Sequence, residues 1–418
     1  MGYISAGSGT PGHNVVYSVA PSGTQNISIG NLDEGDYIQF SVPTVSMPAG
    51  TDIDFMVTIN TNNNKTPKYW LFEYWDDGKW NAQPRYTATE DASIKYSLDV
   101  YDYDSKNHRT YITTFRLTKP VSNDFVKMRL RAVGKINCNG TALVATPNAY
   151  MNFPCTTYRS CEIVAYPGIA AKESTPVKIL QLGNSFTYYH GSAFKLKQIC
   201  RAEGHATDVR INVKGSQEFA EHLDVLPFSQ RVVAEGGYDK AIIQDGSYYH
   251  AEYTVGKDAL KDVTPEYTPE EILNYTKRLS AAIKEKSPNS KVILESVWSY
   301  SYKSTGGYLG FGSFEAFDAA QWQGSNAIAA ADPNVDIVSP IGKAFALARS
   351  QYGFNSAYNW LLYTDNYHPN RYGSYLKACV NYLILFGERF GDHPADCDVP
   401  AAEAAKLRGI ATKIVFGE

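Results

Sequence analysis

The hydrophobic period of the chain changes once, near residue 170, and that change restricts it to two kinds of architecture joined in series. Before it, apolar and polar residues alternate in short runs. H-N-V-V-Y-S-V, Y-I-Q-F-S-V and D-I-D-F-M-V-T-I come first, followed by K-Y-W-L-F-E-Y-W, Y-I-T-T-F-R-L and V-K-M-R-L-R-A-V. Period two is the mark of a half-buried strand, and clusters of Gly, Pro, Asn or Asp bound each run. D-D-G-K between Trp75 and Trp80 is a turn signal between two aromatic strands. With no helical period from residue 13 to about 165, the spacing predicts an all-β sandwich or jelly roll.

A-K-E-S-T-P then reads as a short polar linker, and strands begin to alternate with helical patterns. The expected boundaries are a β domain over 1–168, a linker over 169–175 and an α/β domain over 176–418. V-K-I-L-Q-L is a near-continuous apolar run, as a strand covered on both faces requires. D-V-R-I-N-V, K-A-I-I-Q and K-V-I-L-E-S-V follow as strands, with Val335–Val338 as a candidate fifth. Helical spacing runs from Ser192 to Glu203, Pro269 to Lys286, Phe314 to Ala331 and Tyr372 to Phe386. Alternating β and α predicts a parallel, doubly wound, three-layer sheet. Ligands in such sheets sit at the carboxyl ends of the strands.

Composition narrows the function classes. A chain of 418 residues with 44% apolar and 20% charged residues can bury two cores. A net charge of −4 with scattered Lys and Arg gives no footprint for nucleic acid or for an anionic membrane surface. No run of apolar residues is long enough to span a membrane. Six cysteines (Cys138, Cys155, Cys161, Cys200, Cys379, Cys397) show no metal-binding spacing, and the crowding of the first three permits one disulfide. The N-terminus, M-G-Y-I-S-A-G-S-G-T-P-G, reads as a flexible start or as a chain from which an export signal has been removed. The 31 Tyr and six Trp are more than packing usually needs. Such rings often line sugar-binding grooves, and they are also favoured on half-exposed sheets.

The first α/β strand stops at G-N-S-F-T, which places Ser185 on a strand-to-helix turn. A serine there is either a helix cap or a nucleophile whose neighbouring N–H groups face a developing oxyanion. A nucleophilic serine needs a base in hydrogen-bond reach, itself oriented by a third group. Y-T-D-N-Y-H-P-N-R-Y-G, near the far end of the chain, offers one. Asp365 precedes His368 by three residues, a spacing that lets the carboxylate hold Nδ1 while Nε2 points at the serine.

G-N-S near the start and D-x-x-H near the end of a three-layer α/β (flavodoxin-like) domain resemble the SGNH (GDSL-like) hydrolases. I-L-Q-L-G-N-S-F-T-Y through T-D-N-Y-H-P-N is similar to a bacterial, carbohydrate-esterase-like branch found in polysaccharide-utilising species. The resemblance covers about residues 176–418. It implies Ser185 as nucleophile, His368 as base and Asp365 as its orienting carboxylate, with no metal or organic cofactor required. It also implies an oxyanion hole from the N–H of Ser185 and of Gly215, the glycine after the second strand. The family's third donor is an Asn in G-x-N-D. This chain has A-I-I-Q-D-G-S there, so Gln244 is the substitute donor and the hole has two or three members. Asn184 stands where many members carry Asp.

Other residues have alternatives. His190 is a substrate contact or a solvated histidine, and His222 and His250 are candidates for the cleft rim. Trp298, Tyr300 and Tyr302 are sugar platforms or packing residues. Glu295 is a polar cleft residue or a buried, hydrogen-bonded one. The combined expectation is a serine esterase that removes acyl groups, chiefly O-acetyl, from an oligo- or polysaccharide, exported to the periplasm or cell surface. The rivals are a lipase or thioesterase on the same triad, and an inactive glycan-binding protein. The N-terminal β domain is expected to act as spacer or cleft wall rather than as an independent lectin.

Overall fold

The computed structural model describes residues 3–9, 13, 15–19, 26–61, 64–82, 98–99, 109–154, 161–256, 267–300, 308–352, 362–365 and 367–417. They divide into two compact units, Met1–Ala170 and Ala171–Glu418.

The first unit holds two antiparallel sheets. One runs Tyr3–Gly7, Tyr37–Met47, Val121–Asn137, Pro67–Asp76 and Lys79–Ala82, with Leu98–Asp99 also beside Pro67–Asp76. The other runs Cys161–Tyr166, Asp52–Thr61, Tyr150–Pro154, Asn26–Gly30 and Val16–Val19, with Arg109–Arg116 on Asp52–Thr61. Alternation sends every second side chain to one face, and the inward aromatics of the two sheets meet. Phe40 lies 5.1 Å from Phe55 and 5.7 Å from Phe153, and Phe55 stacks on Phe72 at 5.2 Å. The D-D-G-K turn is a two-residue hairpin in which Trp75 pairs with Trp80. Asp77 and Gly78 both take positive φ, as the right-handed twist of the flanking strands demands.

The second unit is built on five parallel strands: Val177–Gly183, Thr207–Val213, Lys240–Ile243, Lys291–Glu295 and Ile337–Ser339. Their spatial order is second, first, third, fourth, fifth, the flavodoxin-like order with its switch point at the end of the first strand. Ile179, Leu180, Leu182, Ala241, Ile243, Val292 and Leu294 are buried along it, which is why these runs lack the alternation of the first unit. The helices sort into two packed sets, as a sheet covered on both faces requires. Ser192–Ala202, Ile341–Tyr352, Arg371–Phe386 and Ala401–Phe416 form one. Phe219–Asp224, Pro227–Glu235, Tyr249–Val255, Pro269–Lys286 and Phe314–Ala331 form the other. The fifth strand starts two residues later than the apolar run at Val335 suggests. Among the described residues no helix is long and apolar enough to cross a membrane.

Candidate active site

The first strand stops where its neighbours leave no room for a side chain. A Cβ on Gly183 would stand 2.5 Å from Thr187 Oγ1 and 2.9 Å from Gln244 Oε1. Asn184 then leaves the strand and caps the short helix Ser185–Tyr188, its Oδ1 accepting the Phe186 N–H at 3.1 Å. Its Nδ2 donates to the carbonyls of Gln217 at 3.0 Å and Asp245 at 3.2 Å. One amide therefore pins the loops that follow the first three strands. An aspartate here would face two carbonyl oxygens with no proton to give, so the asparagine is fitted to this arrangement. Ser185 occupies the first helical position, where a backbone N–H has no intrahelical acceptor. Among the described residues no protein acceptor takes the N–H of Ser185 or of Gly215.

The turn at 362–370 brings the second motif to this point. Tyr363 bridges to Pro369, Thr364 N–H donates to the His368 carbonyl at 2.9 Å, and Asn370 N–H donates to Leu362 at 2.8 Å. Asn370 also caps Arg371–Phe386, accepting from the N–H groups of Tyr372 and Gly373. Within this frame His368 Nε2 lies 2.8 Å from Ser185 Oγ, and Nδ1 lies 2.8 Å from Asp365 Oδ2. Asp365 Oδ1 accepts the backbone N–H groups of Tyr367 at 2.9 Å and His368 at 2.7 Å. Burial works to raise the Asp365 carboxyl, but these hydrogen bonds, with the His368 ring first among them, outweigh it and hold the group below its ordinary value. An ionised carboxylate only accepts, which assigns the imidazole proton to Nδ1 and leaves Nε2 to accept from the serine hydroxyl.

Three rings hold the imidazole. Tyr189 stacks on it at 4.0 Å and 2°, Tyr367 lies at 4.2 Å, and Phe186 meets it edge-on at 5.7 Å. Trp298 stands behind them, stacked between Phe186 at 4.6 Å and Phe345 at 4.3 Å. Its Nε1–H donates to the Tyr367 carbonyl at 2.7 Å. The indole is fully buried, so Trp298 fixes the turn that carries His368 and offers no face to a sugar. His190 likewise braces this turn, with Nε2 2.9 Å from Thr364 Oγ1.

Ser185 and His368 open onto a cavity of about 510 Å³. Gly215, Tyr300 and Glu218 line it along with Asn184, Tyr189 and Ser247. Tyr300 lines the cavity and is itself buried, packed against Phe317 at 5.3 Å with its hydroxyl 3.1 Å from Ser247 Oγ. The other residues singled out in the sequence lie elsewhere. Gln244 is fully buried beneath the serine turn. Its Oε1 accepts from Asn184 N–H at 3.2 Å and Thr187 Oγ1 at 3.0 Å, and its amide donates to the Asp245 carbonyl. With both ends of the amide engaged in supporting the turn, Gln244 is a brace and lies outside the cavity lining.

His250 is buried against the helix Phe314–Ala331, with Nδ1 2.8 Å from Ser325 Oγ. Burial pushes it down to about 4, so it is a neutral core residue away from the cleft. His222 is buried too, with Nδ1 2.9 Å from both Gln217 Nε2 and Ser229 Oγ. Glu295 pairs with Lys377 at 2.5 Å and accepts from Asn381 at 2.7 Å, inside the fold. Lys377 also donates to the Phe186 carbonyl and Thr187 Oγ1, so this pair supports the serine turn from below. Tyr302 and Cys155 lie outside the described residues. Among the described residues no group of three or more His, Cys, Asp or Glu side chains is placed to hold a metal ion.

Three residues of the site escape sequence reading: Tyr189 on the imidazole, Asn184 as a three-loop tie, and Glu218 in the cavity wall. Glu218 lies three positions after Gly215 in K-G-S-Q-E-F, and that proximity was the available signal.

Asp245 sits fully buried beside the cavity wall and accepts the Phe219 N–H at 3.1 Å. Burial raises its carboxyl to about 7, against the pull of the Phe219 and Gly246 N–H groups. The folded chain therefore keeps this proton at pH values where the unfolded chain has lost it. Stability contributed by the protonated form falls as pH rises from 3.8 towards about 7 and changes no further above that. One such group gives a slope of about −1.4 kcal/mol per pH unit. Urea unfolding at pH 5, 6 and 7 should show this component in the parent and not in Asp245→Asn, which keeps the acceptor oxygen and cannot ionise. An identical pH profile in the two proteins would contradict it.

No protein-family model matches the chain, and no curated protein matches it. Solved structures do resemble it. A DUF4886 family protein from Bacteroides uniformis shares 15% identity at a TM-score of 0.44, over 58% of this chain and 96% of that one. A candidate SGNH hydrolase from Slackia heliotrinireducens shares 20% at 0.38, over 50% and 98%. A carbohydrate esterase family 2 enzyme with its carbohydrate-binding domain, from Corynascus thermopiles, shares 9% at 0.35, over 90% and 100%. Proteins described as GDSL-like lipases and a family 3 carbohydrate esterase are also among the structural neighbours. Likeness this distant leaves the chemistry to be read from the chain's own residues.

Proposed function

We infer that the second unit is a serine ester hydrolase of SGNH type that removes short acyl groups, chiefly O-acetyl, from carbohydrate. The observation that carries this is the hydrogen-bonded series Ser185–His368–Asp365 opening onto a cavity beside two unclaimed backbone N–H groups. In this reading Ser185 Oγ attacks the ester carbonyl as its proton passes to His368 Nε2. Asp365 holds Nδ1–H and stabilises the imidazolium. The oxyanion meets the N–H groups of Ser185 and Gly215, which makes the hole one of two donors. Collapse expels the alcohol with the proton from Nε2. Water, deprotonated by the same nitrogen, then releases the acid and restores the serine.

The lining favours a short acyl group and a hydroxylated alcohol over a lipid. It is built from hydroxyls, a carboxylate and backbone alongside aromatic rings, and no Leu, Ile, Val or Met is among the described lining residues. The first unit is read as a β-sandwich accessory domain acting as a spacer, over about 1–168, and the protein as exported. Acetate release from a panel of acetylated plant polysaccharides, set against p-nitrophenyl esters of rising chain length, tests the substrate class. Acetyl esters should be turned over fastest, and a preference for chains of eight carbons or more would favour a lipase instead.

A further inference from the structure

We propose that Tyr189 is a positioning residue of the reaction whose ring face stabilises the imidazolium that His368 becomes, so that it speeds the chemical step and does more than fill space. The proposal rests on reading Ser185 as an ester nucleophile and adds a residue outside the Ser–His–Asp series. The Tyr189 and His368 rings lie 4.0 Å apart, centre to centre, and within 2° of parallel. At that spacing the imidazole sits over the face of the phenol, which is the negative side of the ring quadrupole. His368 is buried, with Asp365 Oδ2 on Nδ1 and Ser185 Oγ on Nε2, each at 2.8 Å. Its in-plane nitrogens are thus engaged, and further support for a positive charge comes through the faces of the ring. Of the three rings around it, Tyr189 is the one that lies parallel; Tyr367 is tilted by 43° and Phe186 by 73°.

The chain holds this stack from both of its segments. The Tyr189 carbonyl accepts the Ser192 N–H, and it accepts the Ser374 hydroxyl at 2.8 Å from the helix that follows the His368 turn. His190 then takes a left-handed backbone, with φ 49°, which residues other than glycine seldom adopt. That bend brings the His190 ring to Thr364 Oγ1, so the nucleophile's segment and the base's segment are tied on either side of Tyr189. Dispersion between the rings is nearly the same for neutral and charged imidazole and adds little to the rate. The cation–π part arises only as the Ser185 proton reaches Nε2, while Oγ bonds to the acyl carbon and the carbonyl electrons move to its oxygen. An interaction made in the transition state and absent from the ground state raises kcat and leaves KM alone. The same imidazolium forms when water attacks the acyl-serine, so both halves of the reaction gain.

The test replaces Tyr189 with phenylalanine and then with 4-fluoro-, 3,5-difluoro- and 3,4,5-trifluorophenylalanine, which keep the ring's shape and drain negative charge from its face. With p-nitrophenyl acetate, Tyr189→Phe should keep kcat within about threefold of the parent, because the π face remains. Each added fluorine should then lower log kcat by a similar step, to a total loss of about threefold to tenfold at the trifluoro ring with KM unchanged. The same kcat across the fluorinated series would overturn the proposal, leaving Tyr189 a packing residue and the esterase reading intact. A rise in KM at constant kcat would overturn it equally. Rates that match Ser185→Ala throughout, the parent included, would overturn the esterase reading and this proposal together. If Tyr189→Phe fails to fold, 3,5-difluorotyrosine at the same position keeps the hydroxyl and must lower kcat by about threefold for the proposal to stand.

Discussion

Ser185→Ala is expected to lower kcat for every ester the protein hydrolyses by about 10⁴–10⁶, with the fold retained. In the proposed mechanism Oγ is the atom that bonds to the acyl carbon, and among the described residues no other hydroxyl lies on His368 Nε2. Removing it leaves His368 held by Asp365 and stacked under Tyr189, so the cavity and its two N–H donors persist. What survives is the modest acceleration that binding and the oxyanion donors give without a nucleophile. The hydroxyl makes a hydrogen bond to the imidazole and caps nothing, because Asn184 performs the capping. Stability should therefore move by no more than about 1.5 kcal/mol, as for a single part-buried neutral hydrogen bond. Initial rates on p-nitrophenyl acetate together with urea unfolding separate the two effects. A loss of activity below about tenfold, with the fold intact, would mean that the serine is not the nucleophile.

Asp365→Asn should cost about 10²–10⁴ in kcat and leave KM nearly unchanged. Asp365 is not among the described residues that line the cavity, so its carboxylate acts through the imidazole and the turn it holds rather than on substrate. An asparagine that keeps its oxygen on the Tyr367 and His368 N–H groups turns its NH₂ towards Nδ1. That donor selects the tautomer with the proton on Nε2, where it cannot accept the serine proton. The range reaches below that of a buried aspartate because the Asp365 side chain is 44% exposed, so water partly replaces its charge. KM rising in step with the fall in kcat/KM would instead point to lost substrate binding.

The meeting of Ser185, His368 and Asp365 was legible in the sequence from two separated motifs, G-N-S after the first α/β strand and D-x-x-H near the far end. A strand with no room for a side chain at Gly183 must turn, and a D-x-x-H turn closed by its own backbone bonds must bring carboxylate and ring together. The helices with strong caps and a clear apolar stripe were legible for the same reason. Pro269–Lys286, with its Thr268–Glu271 capping box, is the clearest. Short helices such as Phe219–Asp224 and Tyr249–Val255 carry too few turns to show a period.

Side-chain direction was the part that could not be read. Gln244 has the donor chemistry expected of an oxyanion residue. Its longer arm instead folds under the turn, where it satisfies the Asn184 N–H and the Thr187 hydroxyl. Trp298 has the chemistry of a sugar platform, and its ring is covered on both faces by Phe186 and Phe345. Tyr189 was passed over as one tyrosine among many, since its stack on His368 joins segments about 180 residues apart. In each case the residue type was informative and the contact that decides its role is long-range.

The most direct measurement is the site of covalent capture by a fluorophosphonate, read by mass spectrometry of the digested protein. A nucleophilic Ser185 gives one adduct, on the peptide that contains it, formed in step with the loss of esterase activity and absent from Ser185→Ala and His368→Ala. An adduct on another residue, or full activity in protein labelled at Ser185, would contradict the mechanism.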